Sequence, residues 1–370
     1  MEGLRAFSTA GRYVQGPGAL KEIGALCAGS SAHALLIVDA FMADRVGPAI
    51  TSSLHRAGIR STLRSVADEV TQSTVDRVAR DTPEGVDLIL GVGGGKTIDL
   101  AKGVSRALGV PIVTVPTVAS NDSPASRAIA MYDDQHHLVA VPVLEHNPIL
   151  VIVDTSLIAQ APPRFLSAGI GDALSKHFEV DACRAAGGLT MQGTRGLRIA
   201  SIVARGCYDT LREHGRDALL ASTAGRVDES LEETVEAIIL LSGMSFENGG
   251  LSLAHAMTRG LMAVQGAAGF LHGEHVAYGT LVQLAVTGHG DAEVMDLMRF
   301  LRTVSLPSSL AALGVQIEDR EAVSVIAGHT VRAPHITNLP APLSAEGLVN
   351  AMRRVESLST HLGDEPPRPY

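Results

Sequence analysis

The chain has 370 residues, of which 46% are hydrophobic and 19% charged, so it can bury a large core and is not intrinsically disordered. A formal net charge of −9, with 3% aromatic residues and no Trp, argues against a nucleic-acid-binding protein. No apolar run has the length of a membrane span or signal peptide, and three cysteines without a C-x-x-C pair predict a soluble protein of the reducing cytoplasm.

The first part of the chain predicts strands that alternate with helices. Residues 33–41, 87–96, 110–117 and 148–155 form short apolar runs rich in β-branched residues, and helical spacing lies between the first two. Buried strands joined by helices predict a parallel sheet covered on both faces.

The second part of the chain predicts helices. Residues 194–213, 231–244 and 345–358 have helical periodicity, and the texture changes at Ala161-Pro162-Pro163. We therefore predict an α/β domain at 1–161, an all-helical domain at 162–370 and a cleft between them. The polar, Pro-rich tail at 363–370 is expected to be loose.

A glycine-rich turn follows the second predicted strand, in the sequence GVGGGKTID at 91–99. Glycine N–H groups and a helix N-terminus favour a phosphate, although the pattern matches neither G-x-G-x-x-G nor the P-loop. A tight strand-to-helix turn is the alternative. Asp39 ends its own strand, where an acidic residue can bind ribose hydroxyls or be structural. The polar loop at 116–124 also follows a strand, and is either a ligand-binding edge or an ordinary loop.

Three widely spaced residues are candidate metal ligands. Asp172 is predicted at the start of a helix, His255 on a small apolar helical face, and His272 at the entry to another helix. One carboxylate and two imidazoles leave a coordination position open, as a catalytic Zn²⁺ or Fe²⁺ requires. The spacing matches no local metal motif, so buried structural histidines are the alternative. His177 and Glu179 are interpreted as structural.

Five motifs together resemble glycerol dehydrogenases of the metal-dependent (iron-type) alcohol dehydrogenase superfamily. They occur in the same order as in that family and read GVGGGKTIDLAK, PTVASNDSPAS, GIGDAL, FENGGLSLAHA and HGEHVAYGTLVQL. RYVQGPGAL near the start and HITNLPAPLS near the end are also similar, so the resemblance covers nearly the whole chain. It implies the dehydroquinate synthase-like fold, with an α/β N-terminal nucleotide-binding domain and an all-α C-terminal domain.

The resemblance also implies a set of site residues. NAD would lie across the cleft, facing a divalent metal, Zn²⁺ or Fe²⁺, held by Asp172, His255 and His272. Asp122 would hold the substrate polyol beside the metal, and Asp122 and His255 would be the catalytic residues. The NAD contacts would be Asp39, Gly94, Gly95, Lys96, Asp99, Thr117, Ser120, Ser126, Ala128 and Tyr132.

The activity that the resemblance implies is NAD-dependent, divalent-metal-dependent oxidation of a polyol or secondary alcohol, glycerol-like or a cyclitol, to the ketone by hydride transfer. No single general base is identifiable, and Asp39 favours NAD because a carboxylate repels the 2′-phosphate of NADP. The expected partner is a small polyol or alcohol, with no nucleic acid and no membrane. Relatives assemble as dimers or octamers, so a homo-oligomer is expected.

Some positions depart from the family pattern and leave the substrate open. Thr258 and Arg259 stand where His and Asn are usual, His275 replaces a Lys, and Asn121 replaces a Thr. Arg259 lies one helical turn from His255 and could bind a carboxylate or phosphate, or form an inter-helix ion pair. The alternatives are therefore a polyol-phosphate or hydroxy-acid dehydrogenase. A non-redox sugar-phosphate cyclase is disfavoured by the few basic residues, and a non-catalytic binding protein by the three intact ligand positions.

Overall fold

The computed structural model describes residues 3–135 and 137–363, so the predicted loose tail lies outside the described residues except for Gly363. The strands are β1 (Tyr13–Gly16), β2 (His33–Asp39), β3 (Arg60–Val66), β4 (Leu88–Gly93), β5 (Ile112–Pro116), β6 (Met131–Tyr132), β7 (Leu138–Ala140) and β8 (Leu150–Asp154). The α-helices are α1 (Ile23–Cys27), α2 (Ala43–Arg56), α3 (Gln72–Arg80), α4 (Gly95–Leu108), α5 (Thr155–Ile158), α6 (Pro163–Ala185), α7 (Arg198–Thr223), α8 (Glu229–Glu236), α9 (Ser242–Gly249), α10 (Leu253–Met262), α11 (Gln265–Ala268), α12 (His272–Val286), α13 (Asp291–Thr303), α14 (Arg320–Thr330) and α15 (Ala345–His361).

The first of two compact units is built on a six-stranded parallel sheet, in the order β1-β8-β5-β4-β2-β3. Successive side chains of a strand point to opposite faces, so each buried strand supplies two cores. Leu36 and Leu90 pack with α1 and α2 in one hydrophobic cluster, whereas Leu35 and Ile89 pack with α3 and α4 in another. The predicted parallel sheet covered on both faces is confirmed.

The order of the central strands creates a switch point in the sheet. β2 and β4 are neighbours, but the chain continues from β2 outward to β3 and from β4 outward to β5 on the opposite side. The register pairs Val38 with Val92 and Gly93 with Pro116, so the carboxyl ends of β2, β4 and β5 lie at one edge. Ligands of open α/β sheets bind at such a point.

The first unit also contains a helical segment from later in the chain. Thr9–Ala161 is joined by Ala221–Gly243, which lies within the predicted helical domain at 162–370. Glu232 on α8 explains this packing, because its side chain accepts hydrogen bonds from Gln15 on β1 and from Thr155 on α5. A π-helical turn, Ala237–Leu241, then connects α8 to α9.

The second unit comprises residues 3–8, Pro162–Leu220 and the described residues from Met244 onward. It is helical, and α12 packs against α6, α10 and α15. α12 is buried from Gly273 to Leu284, as expected for a helix that is apolar on all sides. Among the described residues no single helix has the length and apolar composition of a membrane span. Only the pair Glu229–Gly249 and Leu253–Met262, bent by 101°, has that length and composition when the two are taken together.

Candidate active site

Close helix crossings in the second unit bring distant parts of the sequence together. A Cβ on Gly273 of α12 would lie 1.7 Å from the Ala168 carbonyl oxygen of α6, and one on Gly171 would lie 2.4 Å from the Gly273 oxygen. These glycines therefore allow the two backbones to touch, and any side chain would separate them. Asp172 follows Gly171 and His272 precedes Gly273, so the crossing sets these two side chains side by side.

Asp172, His255 and His272 form a cluster whose ligand atoms all lie within 4.8 Å of one another. Asp172 Oδ1 is 3.1 Å from His255 Nε2 and 3.8 Å from His272 Nε2. Ligands about 2.1 Å from a tetrahedral ion lie about 3.4 Å apart, so this donor set fits Zn²⁺ or Fe²⁺. The His272 side chain is 45% exposed, which leaves the cluster open to solvent on one side.

The helix positions of the three residues agree in part with the sequence. His272 is the first residue of α12, as predicted, and His255 lies in the first turn of the buried helix α10. The prediction that Asp172 starts a helix was wrong, because α6 begins at Pro163 and continues through Gly171. Gly171 of GIGD serves the helix crossing rather than a turn.

Glu179 holds His255 in a defined orientation from the side away from Asp172. Its Oε2 is 2.6 Å from His255 Nδ1, and its Oε1 accepts hydrogen bonds from the backbone N–H groups of Ser252 and His255. In the neutral form of His255 that can bind a metal, Nδ1–H donates to Glu179 and the Nε2 lone pair faces Asp172. A carboxylate behind a histidine in this way supports metal ligands in proteins. Glu179 was interpreted as structural from the sequence, and it is a part of the site.

Burial and charge act in opposite directions on these groups. Burial alone would raise the pKa of the Asp172 carboxyl, but Lys176 and the two histidines outweigh it and hold that pKa well below its usual range. Burial likewise opposes ionisation of Glu179, yet His255 lowers its pKa to about 2. Burial lowers the pKa of His255, and Glu179 more than offsets this and raises it above its ordinary value. Both carboxyl groups are therefore ionised at neutral pH.

Lys176 is a buried cation inside this cluster. Its Nζ donates to Asp172 Oδ1 at 2.6 Å and lies 3.2 Å from His255 Nε2. Asp172, Lys176 and Glu179 stand at positions i, i+4 and i+7 of α6, which places them on one face of the helix. This spacing is the sequence signal for both Lys176 and Glu179, and Lys176 was not among the predicted site residues.

In the first unit, the predicted phosphate-binding turn lies at the carboxyl edge of the sheet. Gly94 precedes α4 and Gly95 is its first residue. The first backbone N–H groups of α4, which have no partner within the helix, therefore lie at this turn and can bind an anion. Asp39 ends the neighbouring strand, and its Oδ2 accepts a hydrogen bond from Thr97 at 3.4 Å. Lys96 is half-exposed, with its Nζ 3.6 Å from Glu69. The structure thus brings Asp39 and the glycines together.

The predicted contacts beyond β5 belong to a loop that is anchored on α4. Asp99 accepts hydrogen bonds from Ser123 Oγ at 2.6 Å and from the Ala130 N–H at 3.0 Å. Lys102, fully buried, donates to Asp99 and to the Ala128 carbonyl. The Asp99 carboxylate therefore shapes the loop. Ser126 is buried within the loop. Tyr132 lies on β6, where burial raises the pKa of its hydroxyl to about 12.

Thr117, Ser120 and Asp122 lie in the polar segment directly after β5. The Thr117 N–H donates to the Gly93 carbonyl, which joins this segment to the glycine-rich turn. Ser120 is half-buried. Asp122 is 9% exposed, and its Oδ2 accepts a hydrogen bond from Ser242 Oγ at 2.6 Å. The ten predicted NAD contacts and Asp122 thus all belong to the first unit, and the three predicted metal ligands belong to the second.

The positions that depart from the family pattern have distinct surroundings. Thr258 donates its hydroxyl to the His255 carbonyl, and buried His275 has its Nε2 2.8 Å from the Ala267 carbonyl oxygen. Asn121 Oδ1 accepts from the Ser123 N–H. Arg259 is half-buried and makes no hydrogen bond or ion pair with a residue that the structure describes, so the inter-helix ion pair considered above is not found.

Comparisons with known proteins agree with this arrangement. Residues 14–162 match the family of iron-containing alcohol dehydrogenases. A glycerol dehydrogenase of Pseudomonas putida is 39% identical over 360 residues, which cover 96% of this chain and 98% of the relative. A glycolaldehyde reductase of Halobacterium salinarum is 36% identical over 322 residues, which cover 87% of this chain and 88% of the relative. The crystal structure of a probable glycerol dehydrogenase from Sinorhizobium meliloti superposes with a TM-score of 0.91 at 33% identity, covering 97% of this chain and all of that one.

Whole-length relatives at this identity, with the dehydrogenase fold, settle the family. The dehydroquinate synthase-like arrangement that the motifs implied, a parallel α/β unit and a helical unit, is the fold of these structural neighbours. The chain is an oxidoreductase that acts on an alcohol or polyol, and it belongs to the glycerol dehydrogenase family of the iron-type alcohol dehydrogenase superfamily.

Proposed function

We propose that the enzyme oxidises a polyol or secondary alcohol, glycerol-like or a cyclitol, to the ketone, with NAD as the hydride acceptor and a bound divalent metal. The observation that carries this proposal is the cluster of Asp172, His255 and His272, with Glu179 behind His255. Glycerol dehydrogenases and a glycolaldehyde reductase among the relatives support a small hydroxylated substrate.

Asp172, His255 and His272 would hold the metal, Zn²⁺ or Fe²⁺. A divalent ion supplies Lewis acidity, which makes an alcohol oxygen easier to deprotonate near neutral pH. The chain prepares its own part of this chemistry. Glu179 keeps the Nδ1 proton of His255 directed away from the cluster, so that Nε2 faces Asp172. Burial of both carboxylates keeps water from competing for their oxygen atoms.

The carboxyl edge of the sheet would hold NAD, whose nicotinamide supplies the hydride acceptor. N–H groups at Gly94 and Gly95 would bind the pyrophosphate at the N-terminus of α4. Asp39 would accept hydrogen bonds from ribose hydroxyls and repel the 2′-phosphate of NADP. Lys96, Asp99, Thr117, Ser120, Ser126, Ala128 and Tyr132 remain proposed NAD contacts, with Asp99 acting through the loop that it anchors.

Asp122 would bind a second hydroxyl of the substrate. Ser242 donates to its Oδ2, so this carboxylate is held in one orientation while its charge favours hydroxyl donors. His255 remains the other proposed catalytic residue, through its role as a metal ligand. A neutral polyol suits such a site because each of its hydroxyl groups can donate one hydrogen bond.

Arg259 favours a second candidate, a hydroxy acid or a polyol phosphate. Its guanidinium is half-buried without an ion-pair partner among the described residues and lies one turn of α10 beyond His255. Arginine binds carboxylate and phosphate groups in a bidentate manner. Arg259→Ala should lower kcat/KM for 2-hydroxy acids or glycerol phosphates and leave glycerol oxidation unchanged if this candidate is correct.

The test of the proposal is a panel of alcohols scored by NADH formation, combined with metal analysis. Asp172→Ala should lose bound metal and activity but keep NAD binding, because the proposed NAD contacts lie in the other unit. Asp217→Ala, at an exposed position of α7, is the matched control and should retain both. NADH formation by metal-free wild-type enzyme would contradict the metal role. A homo-oligomer, dimer or octamer, and a cytoplasmic location remain part of the proposal.

A further inference from the structure

Lys176 occupies a place in the second unit where a cation has direct consequences for metal binding. Its side chain is 1% exposed and lies one helical turn beyond Asp172 on α6. Nζ donates to Asp172 Oδ1 at 2.6 Å and to the Asp172 carbonyl at 3.2 Å, and lies 3.2 Å from His255 Nε2. One cation thus contacts two of the three proposed metal ligands.

The geometry around His255 explains why a cation is needed there. In the neutral form of His255, which a metal ligand requires, Nδ1–H donates to Glu179 and Nε2 carries a lone pair 3.1 Å from an oxygen of the Asp172 carboxylate. Two acceptors at this distance repel each other unless a positive group binds to both. Lys176 Nζ is placed to donate to both atoms, and a divalent ion bound by the same atoms would serve the same purpose.

The charges of the buried groups also determine how Lys176 affects metal binding. Asp172 and Glu179 are buried carboxylates, 1% and 0% exposed, and Lys176 supplies one positive charge beside them. A divalent ion would balance both carboxylates by itself, so the loaded site would then carry the charge of Lys176 in excess. Like charges in a buried site repel strongly because water does not screen them.

We propose that Lys176 is a resident counter-cation of the metal site: it holds Asp172 and His255 in the metal-free enzyme and withdraws from Asp172 when a divalent ion binds. The inference rests on the proposed function, because it presupposes that these residues bind metal. Metal binding must break the hydrogen bond between Lys176 and Asp172 and bring two cations together. The enzyme therefore binds its metal less tightly than the same three ligands would without Lys176, and exchanges it more readily.

The test is a comparison of Zn²⁺ affinity and thermal stability in the full-length protein. Metal-free wild type, Lys176→Met and Lys176→Gln are titrated with Zn²⁺ in competition with a chromophoric chelator, and the Tm of each is measured without metal. Lys21→Met is the matched control, because Lys21 is exposed and the substitution removes the same charge from the other unit. Lys176→Gln keeps a donor without the charge and serves if Lys176→Met does not fold.

We expect Lys176→Met and Lys176→Gln to bind Zn²⁺ about tenfold more tightly than wild type, or better. Their metal-free Tm should fall by several degrees, because Asp172 then lacks its buried partner, and Zn²⁺ should restore it. Lys21→Met should match wild type in both measurements. Unchanged or weaker Zn²⁺ binding by both Lys176 variants would overturn the inference and leave the metal site intact. Absence of Zn²⁺ binding by wild type and variants alike would overturn the proposed metal site, and the inference with it.

Discussion

The Glu179 carboxylate lies 2.6 Å from His255 Nδ1 and thereby decides which nitrogen of that histidine can bind a ligand. The two residues are 76 positions apart in the sequence, and each is buried in the second unit. Because Glu179 also accepts the Ser252 and His255 N–H groups, it fixes both the backbone at the start of α10 and the ring itself. The orientation of the proposed metal ligand therefore depends on a residue that would not touch the metal.

Removal of the Glu179 charge should weaken metal binding without removing a ligand. Glu179→Gln keeps the size of the side chain, but its neutral amide accepts the hydrogen bond from Nδ1–H more weakly than the carboxylate does. We expect Zn²⁺ affinity to fall about 10- to 100-fold, as for other carboxylates behind metal-binding histidines. Competition with a chelator measures this. Glu318→Gln, at an exposed loop position, is the control, and equal affinities of the two variants would contradict the role of Glu179.

The same carboxylate should make the metal-free protein sensitive to acid. The pKa of Glu179 is about 2 in the folded protein and 4.5 for an unperturbed glutamate, so the folded state favours the ionised form. This contribution, on the order of 3 kcal/mol, is present above pH 4.5 and is lost as the pH falls towards 2. Denaturant unfolding at several pH values should show a steeper loss of stability in wild type than in Glu179→Gln. Parallel curves would contradict this assignment.

The crossing of α6 and α12 should not tolerate a side chain at Gly273. In Gly273→Ala the new Cβ would lie 1.7 Å from the Ala168 carbonyl oxygen, so the two helices must separate. We expect a loss of about 3 kcal/mol or more in the free energy of unfolding, together with loss of metal binding as His272 moves away from Asp172. Gly269→Ala is the matched control, because a Cβ there meets no atom within 4 Å. Similar stability of both variants would show that the crossing is not tight.

Asp39 should control the choice between NAD and NADP. Asp39→Ser removes the carboxylate at the end of β2 and with it the repulsion of a 2′-phosphate. We expect the ratio of kcat/KM for NAD to that for NADP to fall at least about tenfold, chiefly through a higher KM for NAD. Asp76→Ser, at an exposed position of α3, should keep the wild-type ratio. A ratio that does not change in Asp39→Ser would remove Asp39 from the proposed ribose contact.

Most of the α/β unit could be predicted because its strands have strong local signals. The run at 33–41 corresponds to β2 and that at 87–96 to β4 with the start of α4, since both are short, apolar and ended by Asp39 or by glycines. The predicted domain boundary placed Ala221–Gly243 in the helical domain, whereas the structure groups it with the first unit, because Glu232 contacts residues far away in the sequence. Helical periodicity gives a helix but does not give its packing partner.

The proposed metal ligands could be predicted from the sequence, but the charged residues that contact them could not. Asp172, His255 and His272 were found by motif, and the structure brings them together. The helix start expected at Asp172 was wrong because glycines in a helix interior resemble a turn, whereas Gly171 here permits a close crossing. Glu179 was interpreted as structural and Lys176 was overlooked, because charged residues at i+4 and i+7 on a helix usually form a solvated face. Their burial comes from α10 and α12, which no local pattern reveals.

Asp172, His255 and His272 are proposed to hold a metal that NAD-dependent alcohol oxidation requires. The most direct measurement follows NADH formation with glycerol and a panel of other alcohols before chelation, after thorough chelation, and after addition of Zn²⁺ or Fe²⁺. We expect activity to disappear with the metal and to return on addition of one equivalent per chain, in wild type but not in His272→Ala. Full activity after chelation, or equal recovery in His272→Ala, would contradict it.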